Sequence, residues 1–92
     1  MRQIEITGQY KKDLKLARKR NLPEAKLNEI IFMLANEQVL PAVNKDHALY
    51  GDYEGTRECH IQPDWLLIYS KSEEDSIQIL SLIRTGSHSD LF

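Results

Sequence analysis

Ninety-two residues and 10.7 kDa make one domain's worth of chain, residues 1–92, with no room for a second core. Hydrophobic residues at 41% and charged residues at 28% exclude a disordered tail or a fibre, and no apolar stretch approaches the roughly 20 residues that span a bilayer. The formal charge of −2 hides a division: residues 1–26 hold eight Lys/Arg against three Asp/Glu, a local +5, while residues 27–92 hold four against eleven, a local −7.

The opening residues Met1-Arg2-Gln3-Ile4-Glu5 have no apolar signal region, so a cytoplasmic location is expected. Gln3-Ile4-Glu5-Ile6-Thr7 alternates polar and apolar, as a strand with one buried face does, and Gly8 ends it. From Gln9 to Arg20, Tyr10, Leu14 and Ala17 recur at helical spacing opposite a basic face formed by Lys11, Lys12, Lys15, Arg18, Lys19 and Arg20. Such a face can meet nucleic acid or an acidic partner, although a lone basic helix is more often a solvated surface. Asn21-Leu22-Pro23-Glu24 closes this helix and opens a second, striped by Leu27, Ile30, Ile31 and Leu34 and running to about Gln38. Two helices so tightly joined predict a helical hairpin.

Leu40-Pro41-Ala42 breaks the helical pattern, and Gly51 and Gly55 punctuate a turn-rich stretch. Beyond it the period becomes two: Arg57, Cys59 and Ile61 point one way, Thr56, Glu58 and His60 the other. Gln62-Pro63-Asp64 reads as a turn, Trp65–Tyr69 as a central strand, Lys71–Asp75 as a charged turn and Ile77–Ile83 as a last strand. These three strands predict an antiparallel meander. The expected architecture is α+β: a two-helix hairpin on a small antiparallel sheet, in order β-α-α-β-β-β.

All three histidines lie in the second half. His60 stands four residues before Asp64 across a predicted turn, and His88 follows Arg84-Thr85-Gly86-Ser87 at the exit of the last strand. Imidazoles titrate near neutral pH, so one can take a proton while another gives one. Cleaving RNA through its own 2′-hydroxyl needs such a pair, plus positive charge at the phosphate, for which Arg84 is a candidate. Trp65 and Phe92 offer flat rings for unstacked bases. Each residue also has a plainer reading: Asp64 as a turn residue, Trp65 as core, Arg84 as a surface ion-pair member, Cys59 as a small hydrophobe. The spacing of His47, Cys59, His60, Asp64 and His88 matches no compact zinc pattern, and neither metal nor organic cofactor is expected.

Lys45-Asp46-His47-Ala48-Leu49, Gly51, Gly55, Arg57, the segment His60-Ile61-Gln62-Pro63-Asp64-Trp65 and the terminal Arg84-Thr85-Gly86-Ser87-His88-Ser89-Asp90-Leu91-Phe92 together resemble the YafQ branch of the RelE superfamily, bacterial type II toxins. The resemblance covers nearly the whole chain. It implies a ribosome-dependent endoribonuclease that cuts messenger RNA in the A site by 2′-hydroxyl attack. It further implies an acid–base set of His47, His60, Asp64 and His88, with Trp65 and Phe92 as associated aromatic residues and Arg84 as phosphate ligand. His47 or His60 would be the base and His88 the acid, with Asp64 orienting an imidazole. The implied partners are the 70S ribosome with its mRNA and a ribbon-helix-helix antitoxin of DinJ/RelB type, with promoter DNA reached only through the antitoxin complex. A RelE-fold protein that binds without cutting is the competing reading, and a structural zinc module a third.

Overall fold

The computed structural model describes residues 1–92. The chain runs β1 (Gln3–Ile6), α1 (Gly8–Lys19), α2 (Glu24–Ala35), β2 (His47–Ala48), β3 (Arg57–Gln62), β4 (Trp65–Glu74), β5 (Ile77–Gly86) and α3 (His88–Leu91), with short 3-10 turns at Ala42–Asn44 and Gly51–Tyr53. The sheet order is β1-β5-β4-β3-β2. Strands β2 to β5 pair antiparallel, whereas β1 pairs parallel with β5. The sheet is therefore mixed, not wholly antiparallel as expected, because the helical hairpin carries the chain back across the sheet between β1 and the meander. No helix is long and apolar enough to cross a membrane.

Helix α1 begins where Thr7 caps it: its hydroxyl accepts from the Tyr10 amide at 2.9 Å and donates to the Ile83 carbonyl at 2.7 Å. Tyr10, Ala17, Leu27, Ile30 and Leu34 of α1 and α2 pack on Cys59, Ile61, Trp65, Leu67, Tyr69, Leu80 and Leu82 of the sheet. This is the main core, and it holds the face that Cys59 and Ile61 were expected to share. The Cys59 thiol, pushed up to about 12 by burial, is an inert packing group. Strand β1 departs from expectation, since Ile4 and Ile6 stay exposed at the sheet's edge.

The opposite face has a small core of Leu66, Ile68 and Leu91, flanked by Leu49, Tyr53 and Ile83. It is covered only by the loop before β3 and by α3. Glu58 and His60 of β3 stand opposite Ile68 and Leu66 on this thinly covered face. That asymmetry positions the candidate site.

Candidate active site

Short β2 places His47 across from Glu58 of β3, and Glu58 is only 4% exposed. One of its oxygens lies 3.6 Å from His47 Nε2 and 3.5 Å from His60 Nε2. His47 Nδ1 is 2.7 Å from the Lys45 carbonyl oxygen, which fixes the ring's other side. His60, mostly buried, faces His88 edge-on: their ring centroids are 5.5 Å apart at 67°.

His88 is held from two directions. Asp64 Oδ1 accepts its backbone amide at 2.9 Å and approaches its Nδ1 at 2.6 Å. These bonds from His88 hold the Asp64 carboxyl below the usual carboxylate range, so it remains an anion beside the imidazole. Asp64 can play this part because Pro63-Asp64 is a two-residue hairpin loop, which places its side chain beside the end of β5. The segment after β5 is fixed in turn. The Ser87 hydroxyl accepts from the Asp90 amide and the Asp90 carboxylate accepts from the Ser87 amide, a reciprocal cap on α3. Arg20 adds a two-pronged bond to Asp90, at 2.6 and 3.2 Å. Those contacts hold the Asp90 carboxyl far below its ordinary value, the Arg20 bond contributing most.

The structure thus brings all four residues of the expected acid–base set into one chain of neighbours, His47–Glu58–His60–His88–Asp64. Glu58 is the member that the residue pattern did not single out. Alternation puts it on the face of His60, but only the pairing of β2 with β3 shows that it sits between two imidazoles. Phe92 ends α3 with its ring exposed, set edge-on against Tyr53 at 5.7 Å and 74°. It keeps an open face.

Two expected RNA contacts are placed differently. Trp65 is 2% exposed, packed in the main core, and so has no ring face on which a base could stack. Arg84 is engaged by Asp13 of α1: Nε donates to Oδ2 at 2.9 Å and Nη2 to Oδ1 at 3.0 Å. Ile83 is an extra residue in the β4–β5 pairing, and this bulge turns Arg84 opposite Ile68 while Thr85 donates its amide to the same Asp13 carboxylate. Burial alone would push the Asp13 carboxyl up, but the bonds from Arg84, Gln9 and Thr85 outweigh it and hold the group below its ordinary value. With its charge matched by Asp13, Arg84 ties β5 to α1. Nor do the metal candidates gather: Cys59 is buried on the helical side, and no three His, Cys, Asp or Glu side chains are grouped to hold an ion.

A family model described as "Bacterial toxin of type II toxin-antitoxin system, YafQ" matches residues 2–92. The mRNA interferase toxin YafQ of Escherichia coli K12 is 46% identical over 92 residues, covering 99% of this chain and 96% of that protein. The crystal structure of YafQ from E. coli BL21(DE3) superposes with a TM-score of 0.89 at 42% identity, over 100% of this chain and 99% of the other. The toxin of the E. coli DinJ–YafQ toxin–antitoxin complex superposes with a TM-score of 0.84 at 47% identity, over 99% and 97% of the two chains.

Proposed function

Because the chain belongs to the YafQ family of type II toxins, we propose that it is an endoribonuclease that cuts translated messenger RNA in the ribosomal A site, without a metal ion. The observation that carries this reading is the His60–His88 pair, 5.5 Å apart, with Asp64 bonded to His88. His60 takes the proton of the ribose 2′-hydroxyl. The freed oxygen attacks the phosphorus, and His88 gives its proton to the departing 5′-oxygen. The products are a 2′,3′-cyclic phosphate and a 5′-hydroxyl. Asp64 holds the His88 ring, and the proton that His88 carries faces the charge that builds on the phosphate. Glu58 holds His60 and His47 in place, and Phe92 offers its open face to an unstacked base.

The partner that neutralises the toxin is a ribbon-helix-helix antitoxin of the DinJ kind, as the complex of the E. coli relative supports. Promoter DNA is reached only through that complex. The cytoplasm, where ribosomes are, is the site of action.

The test is to map transcript ends in cells after induction. His60→Ala and His88→Ala should remove both the growth arrest and the cuts within codons, while the circular-dichroism spectrum stays native. Toxin stripped of any bound metal before the assay should still cut ribosome-bound transcripts. A double variant that remains fully toxic would defeat the proposal, and growth arrest without transcript cuts would favour the binding-only reading.

A further inference from the structure

Beside the histidine cluster lies a groove of about 490 Å3, within the roughly 300–1,000 Å3 usual for ligand sites. It runs between the α1–α2 junction and the β3–β4 turn, lined among others by Arg20, Leu22, Lys26, Pro63, Asp64 and Trp65. Asp64 belongs to both places: its carboxylate holds His88 and its residue walls the groove. It is also the only carboxylate in the lining.

The two cations in the lining are not equivalent. Arg20 is committed to Asp90, whereas Lys26, exposed in the first turn of α2, makes no ion pair with any residue. Between them Leu22 and Pro63 supply apolar surface, and Gln62 a side-chain amide able to meet a base edge. Trp65, also in the lining, carries the single buried side-chain polar atom of the molecule that has no hydrogen-bond partner, its indole Nε1. A free ammonium, an amide and apolar walls beside a proton-transfer pair are groups that a nucleotide engages.

We propose that this groove is a nucleotide subsite that holds the residue on the leaving-group side of the cut, with Lys26 bound to its 3′-phosphate and Pro63 and Leu22 against its base. The placement rests on the ribonucleolytic reading above, in which His88, held by the groove's own Asp64, protonates the departing 5′-oxygen of that same nucleotide.

The protein has one tryptophan, so its indole N–H resonance reports directly on the groove. Titration of the His60→Ala protein, which does not cut under the proposal, with adenosine 3′,5′-bisphosphate should shift that resonance to saturation. Lys26→Glu should weaken binding at least tenfold. Lys11→Ala, a cation of α1 outside the groove, should leave it unchanged. Adenosine and inorganic phosphate alone should each bind at least tenfold more weakly than the bisphosphate. An unmoved Trp65 signal, undiminished binding by Lys26→Glu, or inorganic phosphate binding as tightly as the bisphosphate would each overturn the subsite. The titration reads binding without cleavage, so its failure is distinct from a failure of the histidine variants to stop transcript cutting.

Discussion

Glu58 shows how a single buried charge is tolerated and what it does. A carboxylate taken out of water needs partners, and the nearest to Glu58 are two imidazole nitrogens at 3.5 and 3.6 Å. The arrangement ties β2 to β3 at the site and gives His60 a fixed neighbour. Glu58→Gln keeps the shape and removes the charge. Cleavage should fall by roughly 10- to 100-fold, the cost known for losing the carboxylate behind a metal-bound histidine, carried over here to a proton-transfer histidine. The effect should not add to that of His60→Ala: in a double-mutant cycle on cleavage rate, the double variant should be no slower than His60→Ala alone. Independent, multiplying losses would show that Glu58 does not act through His60. At this scale the motif residues were legible, since His60, Asp64 and His88 flank turns whose spacing is written in the chain. Glu58 was not, because its meaning depends on a two-residue strand around His47 that no periodicity announces. Trp65 and Arg84 illustrate the converse. Their side-chain chemistry suits RNA, yet an apolar strand and an acidic partner on α1 turn both to structural use.

Among the elements, α3, like β2, is too short for sequence patterning to reveal, for four residues cannot display a helical period. The last two strands, β4 and β5, were located but drawn short. Lys71–Asp75 reads as a turn by charge, yet β4 and β5 continue paired past the core to Glu74 and Ile77, and the reversal is made by Asp75 and Ser76, both at positive φ. A hairpin loop of two left-handed residues suits the twist of such a ribbon. The fit of α3 against the end of β5 is close. A Cβ added to Gly86 would meet Asp90 Cβ and Oδ2 at 3.0 Å, and Asp90 has little freedom to move because Ser87 and Arg20 both hold it. Gly86→Ala should therefore cost about 1–2 kcal/mol by overpacking and loosen the segment that carries His88. Thermal melting measures the first effect. A broadened or shifted His88 side-chain resonance measures the second, and native melting together with an unchanged resonance would show that Asp90 gives way freely.

For the whole molecule, the question is what fastens the helical layer to the sheet where apolar packing thins towards the site. Asp13 does so from α1: it receives two bonds from Arg84 and one from the Thr85 amide, all on β5, and one from Gln9 on its own helix. The +5 and −7 halves of the chain were legible as a charge division, but this acid in the basic half and this arginine in the acidic half form the tie, and only the tertiary fold pairs them. Asp13 is 8% exposed. Losing its charge should cost roughly 2–3 kcal/mol, less than the 3–5 of a wholly buried pair because Arg84 still reaches solvent. Asp13→Asn should thus lower the melting temperature by about 10–20 °C at neutral pH. The sign of the pH effect follows from the depressed carboxyl. Its contribution is complete above the ordinary carboxylate range and is lost as pH falls through the lower value that it has in the folded state. Melting curves of the natural protein should fall in acid more steeply than those of Asp13→Asn, so that the gap between them closes as pH drops. A gap of constant size would mean that Asp13 contributes shape rather than charge, and that the helices are held to the sheet by the Tyr10–Leu34 core alone.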